Sequence, residues 1–211
     1  MSDVKFIEQG HEILGIFKSE GYTEPHDFIA NVARTCYQSE SKGADADERL
    51  VRSLVKMGHH AMLEHSFMSV RFVTDRAIAN EIVRHRLFSF AQESTRYCNY
   101  DNRGFEFVLP NISGGGLMDG HKLDCVKRAC MFAAEQYEEM LECGCKPEIA
   151  RAVLPLCTAT RIVVSGNMRS WRHFFQLRCD IHAHPQIREL ATALLDDVKQ
   201  RVPVLFEDIQ P

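Results

Sequence analysis

The chain has 211 residues, 45% of them hydrophobic, with a formal net charge of −4. That length and apolar content predict one domain over residues 1–211 with a sizeable core. The acidic balance argues against a general nucleic-acid or membrane-surface binder. No apolar run approaches the ~18 residues that a membrane span needs. The opening MSDVKFIEQGHEILG lacks the basic-then-apolar order of a signal peptide, so a cytoplasmic protein is expected.

Val4 to Glu8 and Glu12 to Lys18 are short apolar runs that read as strands. Glu24-Pro25-His26-Asp27 opens a helix, with Pro25 tolerated early and Asp27 as the cap. Phe28, Ile29, Val32, Ala33 and Cys36 then keep helical spacing, and Ser39 to Asp45 is a polar loop. A second helix runs from Ala46 to Met57 and stops at Gly58. GHHAMLEHSF follows, with His59, His60 and His65 near Glu64 but without the HExxH spacing of a zinc site. Ser66 to Thr74 is rich in β-formers and reads as a strand. Thr74 or Asp75 caps the helix DRAIANEIVRHR, with Ile78, Ile82 and Val83 toward the core. On that helix Glu81 shares a face with Arg84 and His85.

The helix runs into the most informative stretch, Arg84 to Tyr97, RHRLFSFAQESTRY. A guanidinium is always charged and offers a planar fork of donors, which suits phosphate and carboxylate oxygens. Arg84, Arg86 and Arg96 beside Ser94 and Thr95 therefore predict a cradle for a phosphorylated ligand, with a loop from Ser89 to Tyr97 folding back over it.

Phe105 to Leu109 reads as a strand, and NISGGGLMDGHK as a flexible loop that is neither GxGxxG nor a P-loop. Asp119 to Cys143 is a long amphipathic helix broken by Gly144. Lys146 to Val153 is a short helix with Pro147 in its first turn and Glu148 and Arg151 on one face. Thr158 to Ser165 is a β-branched strand. Asn167 caps a helix on which Arg169 and His173 share a face, while Met168, Trp171, Phe174 and Phe175 supply apolar surface. Arg178 lies nine residues beyond Arg169, about 180° round an ideal helix. Either that helix ends early, or it lies between subunits and feeds two equivalent sites. Ile187 to Val202 is a further amphipathic helix, bent or ended by Pro203. The eight cysteines are scattered apart from Cys143-Gly-Cys145 and predict reduced, mostly buried thiols. No metal site is assigned, because neither Cys143/Cys145 nor His182/His184 has its complementary ligands nearby in sequence.

Together these residues resemble those of the flavin-dependent thymidylate synthases. The hallmark of that family is Arg-His-Arg, seven residues, then Ser, and Arg84-His85-Arg86 stands in that relation to Ser94. Arg96-Tyr97, GHxxxxEH at Gly58 to His65, RAVLP at Arg151 to Pro155, and NMRSWRHFFQLRxDxHAxxxIR from Asn167 to Arg188 also match. The resemblance spans nearly the whole chain. It implies an α+β fold with a mainly antiparallel sheet flanked by long helices, assembling as a homotetramer with active sites at subunit interfaces. It implies conversion of dUMP to dTMP, with 5,10-methylenetetrahydrofolate as carbon donor and tightly bound FAD, reduced by NADPH, as hydride source.

By position in the family pattern, FAD would be held by His59, Ala61, Arg84, His85, Arg86, Gln92, Asn167, Arg169 and His173. Ala61 stands where the family often has a hydroxyl, so only its backbone could serve. The resemblance places His59 over the flavin ring, near the folate. The dUMP site would draw on Glu81, Arg84, Gln92, Glu93, Ser94, Thr95, Arg96, Arg151 and Arg178. Arg178 would be catalytic, lying against the uracil and stabilising its N3 anion. Two departures from the pattern, Glu81 for Gln and Glu93 for an apolar residue, add negative charge near the phosphate. Two other readings compete. A metal-dependent phosphohydrolase built on the histidines leaves the arginines unexplained, and an anion-sensing or RNA-binding module conflicts with the acidic charge.

Overall fold

The computed structural model describes residues 3–98, 100–111 and 117–211. In chain order the elements are β1 (Val4–Ile7), β2 (Gly10–Ile16), α1 (Pro25–Thr35), α2 (Ala44–Lys56), a 3-10 turn (His60–His65), β3 (Phe67–Asp75) and α3 (Arg76–Ile82). They continue with β4 (Ser89–Gln92), α4 (Tyr100–Arg103), β5 (Phe105–Val108), α5 (Leu117–Glu142) and α6 (Pro147–Ala150). After a second 3-10 turn (Arg151–Val153) come β6 (Ala159–Asn167), α7 (Met168–Arg178), α8 (Pro185–Arg201) and α9 (Pro203–Phe206). The fold is α+β, with a mainly antiparallel four-stranded sheet in the order β2-β3-β6-β4. The glycine-rich Ile112–Gly116 lies outside the described residues.

Local chemistry sets most of these ends. Asp75 accepts from Ile78 N at 2.7 Å and starts α3, and Asn167 accepts from Ser170 N at 2.8 Å and starts α7. Gly58 turns the chain after α2 at φ 76°, a conformation that glycine adopts without strain. At α1 the expectation shifts by three residues: Glu24 is the N-cap, and Asp27 sits at N3, accepting from Glu24 N at 3.1 Å. His184 starts α8, accepting from Gln186 N at 3.3 Å. As expected, α8 ends at Arg201, just before Pro203, which opens the short helix α9.

Two expectations around the arginine stretch are overturned. α3 stops at Ile82, with Val83 as its C-cap, so Arg84-His85-Arg86 lies in turns and shares no helical face with Glu81. Ser89 to Gln92 is a strand and not a loop, because its backbone joins the β6 edge of the sheet. The cysteines are all free, as expected, but only Cys130 and Cys179 are buried.

The chain divides into two compact units. The first comprises Met1–Gly10, Phe72–Arg84 and Ala91–Ile162. In it β1 pairs in parallel with β5, Val4 opposite Phe105 through Ile7 opposite Val108. Its core gathers Tyr100, Phe105, Phe107, Cys130, Ala134, Tyr137 and Ala150.

The second unit comprises His11–Arg71, His85–Phe90 and Val163–Pro211. Ile29, Val51, Leu54, Leu63, Trp171, Phe175, Leu194 and Phe206 are buried there. Trp171 Nε1 donates to Met68 O at 3.0 Å, so its polar tip is satisfied inside the core. Buried Arg172 donates to Leu205 O and forms a forked pair with Asp208 at 2.7 and 2.6 Å. Gly166 is required by packing: a Cβ there would stand 2.1 Å from the Phe88 ring. Among the described residues no helix is long and apolar enough to cross a membrane.

Candidate active site

In the first unit the chain leaves β4 at Gln92 and makes a tight turn. Ser94 O accepts from Tyr97 N at 3.2 Å and from Cys98 N at 3.0 Å, and Ser94 Oγ accepts from Arg96 N at 3.4 Å. Arg151, in the 3-10 turn after α6, reaches this turn and donates from Nη1 to buried Thr95 Oγ1 at 3.0 Å. Its Nε donates to Glu148 O at 3.1 Å, so the expected Glu148–Arg151 relation is made through the backbone carbonyl. Gln92 Nε2 donates to Thr160 Oγ1 at 3.3 Å. Arg96 is exposed, its guanidinium 5.2 Å from the Tyr97 ring centroid. Arg84 N donates to Glu81 O at 3.3 Å, closing the turn that follows α3.

Glu93 is committed elsewhere. Its N–H donates to Arg161 O at 2.9 Å, and its carboxylate faces Arg161 Nη1 at 3.6 Å. Arg161 in turn holds Glu106 at 2.6 Å. The negative charge of Glu93 is thus met by a cation of β6, and its N–H is not available to an anion. Thr160 and Arg161 were missed by the sequence reading, since nothing in a β-branched strand marks which side chains face a neighbour.

In the second unit α7 runs unbroken to Arg178, so Arg169 and Arg178 point apart as helical geometry requires. Arg178 Nε donates to His85 Nε2 at 2.9 Å. His85 lies among the rings of Phe174 (5.0 Å), Phe88 (6.0 Å) and His173 (6.2 Å). Burial, then the charge of Arg178 and then His173, lower its pKa to about 4, so the imidazole is neutral and acts as acceptor at neutral pH. Arg86 is exposed in the turn beyond it. Asn167 spends its side-chain oxygen on the cap of α7.

Arg169 faces a cavity of about 710 Å³. His59, His60 and Ala61 line it, together with Tyr37, Lys42 and Leu54. Arg169 Nη1 pairs with Glu64 Oε1 at 2.6 Å. Glu64 had its signal in the GHxxxxEH motif but carried no assigned role. His60 Nε2 lies 3.2 Å from Val55 O, which leaves His59 as the exposed imidazole of the pair. Among the described residues no group of three or more His, Cys, Asp or Glu is arranged to hold a metal.

Thus the residues expected for one phosphorylated ligand, Arg178 apart, fall in the first unit. Those expected for a flavin, Arg84 and Gln92 apart, fall in the second. Residues 20–204 match the family model described as thymidylate synthase complementing protein. A flavin-dependent thymidylate synthase of Geobacter sulfurreducens is 32% identical over 196 residues, covering 89% of this chain and 83% of that protein. Proteins of the same description from Corynebacterium efficiens and from a Mycobacterium strain are each 34% identical. They cover 84% of this chain and 76% and 77% of their own lengths respectively. The chain belongs to the flavin-dependent thymidylate synthase family.

Proposed function

We propose that residues 1–211 act as one cytoplasmic catalytic domain that methylates dUMP reductively to dTMP. The carbon donor is 5,10-methylenetetrahydrofolate, and the cofactor is tightly bound FAD reduced by NADPH. Beyond the family, the observation that carries this reading is the meeting of Arg151 with Thr95 at 3.0 Å, beside the turn bearing Ser94 and Arg96. A guanidinium and a hydroxyl from distant parts of the chain meet there, donors suited to a nucleotide phosphate. Glu81, Arg84, Gln92 and Glu93 complete the nucleotide set, and the Arg161 guanidinium, shared between Glu93 at 3.6 Å and Glu106 at 2.6 Å, offsets part of the repulsion that the charge of Glu93 would otherwise exert.

The residues fit a flavin. The cavity beside His59, Ala61 and Arg169 has apolar walls at Ala33, Leu50, Leu54 and Met62, with Arg34, Lys42 and Arg169 also in its lining. A flat ring and a diphosphate ask for that combination. In this reading His59, the Ala61 backbone, Arg84, His85, Arg86, Gln92, Asn167, Arg169 and His173 hold FAD. Bound FAD supplies the hydride that completes the methyl group. The protein's own part is orientation and charge. Arg178 lies against the uracil and stabilises negative charge at N3, which makes C5 a nucleophile toward the folate's carbon. As C5 bonds to that carbon the folate's C–N bond breaks and its nitrogen keeps the electron pair; C5 then loses its proton to water, and no cysteine attack on the base is needed.

The proposed assembly is a homotetramer with sites shared between subunits. Its support is the opposed pair Arg169 and Arg178, and the exposure of Leu87 (80%) and Tyr97 (80%) beside the proposed ligand residues. The purified protein should absorb at about 450 nm as a flavoprotein and form dTMP from dUMP, methylenetetrahydrofolate and NADPH. A colourless protein that takes up no flavin on reconstitution would refute the reading.

A further inference from the structure

We propose that Cys130 and Cys157 form a two-thiol modification site, which hydrogen peroxide converts to a disulfide stapling α5 to the segment between Arg151 and β6. The proposal stands independently of the reaction inferred above.

Three observations carry it. First, the sulfurs are already neighbours. Cys130 Sγ and Cys157 Sγ lie 3.3 Å apart, although 27 positions separate the residues in the chain. A disulfide bond measures about 2.05 Å, so closure needs a movement of only about 1.2 Å. Second, the fold holds the pair together. Cys130 belongs to the core of the first unit with Ala134 and Tyr137, and Cys157 packs against that core with Val153 and Leu154. The backbone at Cys157 is anchored: its carbonyl accepts from Val108 N at 2.9 Å, and Leu156 O accepts from Arg76 N at 3.0 Å. Third, the two thiols differ in character. Cys130 is buried, whereas Cys157 is partly open to solvent. The hydrogen bond from Cys130 holds the Cys157 thiol below its ordinary pKa, and the same bond, followed by burial, raises that of Cys130. The thiolate is the nucleophile, so Cys157 meets the oxidant and Cys130 resolves the product.

The chemistry balances with peroxide as the only added reactant. The Cys157 thiolate attacks one peroxide oxygen, the O–O bond breaks, and the departing hydroxide takes up the proton that the thiol released. Cys157 is then a sulfenic acid. Cys130 Sγ attacks Cys157 Sγ, the S–O bond breaks, and the hydroxyl leaves as water with the Cys130 proton. Each sulfur loses one electron, and the peroxide is reduced to two waters. The bond so formed restrains the unfolded chain between the two positions. It also fixes to α5 the segment that begins at Arg151, whose guanidinium meets Thr95.

The test treats the full-length protein with hydrogen peroxide, alkylates the remaining thiols, and maps the cysteines by mass spectrometry without reductant. A Cys130–Cys157 cross-link should appear, with the loss of two hydrogens, and dithiothreitol should reverse it. The oxidised protein should unfold about 4–16 °C above the reduced one, a rise absent from Cys130→Ser under the same treatment. Cys130→Ser lacks the resolving thiol, so dimedone should trap a sulfenic acid on Cys157. In Cys157→Ser, Cys130 should stay reduced.

Wild-type protein whose Cys157 stops at a sulfenic or sulfinic acid would overturn the proposal, as would cross-links confined to other cysteines. So would an oxidised protein no more stable than the reduced one, or dimedone captured by Cys130 in Cys157→Ser.

Discussion

Gly166→Ala adds a single methyl group to β6 and should disturb the fold well beyond that size. A Cβ at 166 would lie 2.1 Å from Phe88 Cδ1 and 2.4 Å from Cε1, far inside contact distance. Phe88 cannot swing aside cheaply, because it is buried with its ring 4.6 Å from Trp171 and 6.1 Å from Phe174. Overpacking of this kind costs about 1–3 kcal/mol. In a chain of this length each kcal/mol moves the thermal midpoint by about 2–4 °C, so a fall of about 2–12 °C is expected. Phe88 also borders His85, so dTMP formation should fall alongside stability. Gly15→Ala is the control: nothing lies within 4 Å of its added Cβ, and its effect should stay within about 0.5 kcal/mol. Thermal unfolding followed by circular dichroism compares the two. A Gly166→Ala midpoint indistinguishable from that of Gly15→Ala would refute the close approach of Phe88 to β6.

Arg178→Ala should abolish thymidylate formation, with a loss of at least about 100-fold, while bound flavin survives. Arg178→Lys should fail as well, since an ammonium lacks the planar fork, and comparable loss of flavin from either variant would assign Arg178 to the wrong ligand. Arg151→Ala should weaken dUMP binding by roughly 10- to 150-fold, the equivalent of a charge-assisted hydrogen bond of about 1.5–3 kcal/mol; calorimetry showing unchanged affinity would remove Arg151 from the phosphate site. The pKa of His85, lowered by burial and then by the charges of Arg178 and His173, has a consequence for stability. An unfolded histidine takes up its proton near pH 6.5, whereas His85 in the folded chain does so only near about 4. Stability should therefore fall as pH drops from about 6.5 to about 4. Midpoints measured across that range should show a component that His85→Phe removes, and an identical slope in the variant would contradict it.

Local backbone chemistry was legible along the chain. Asp75 and Asn167 cap helices because a short side-chain oxygen meets an orphan N–H three residues on, a relation contained within a few residues. Gly58 and Gly144 stand after helices at positive φ, where other residues are strained. The chemistry-bearing residue types were legible too, because a cluster such as Arg84 to Tyr97 is unusual against an acidic background.

What lay beyond local chemistry needed the tertiary structure. Helical spacing carried the reading of α3 through Arg86, yet the helix ends at Ile82 and the chain moves into β4. Long-range pairing decided this: β4 joins β6, and Phe88 fills the gap that Gly166 leaves. Hydrogen-bonding type alone could not tell that Glu93 would spend both its N–H and its carboxylate on Arg161. Nor could spacing reveal that Thr95 meets Arg151, or that His85 meets Arg178 across 93 residues. The sequence by itself determined which side chains were present to bind an anion and where helices could start. Only packing determined which of those side chains face one another, because such contacts depend on how distant backbones are brought together rather than on any neighbour in the chain.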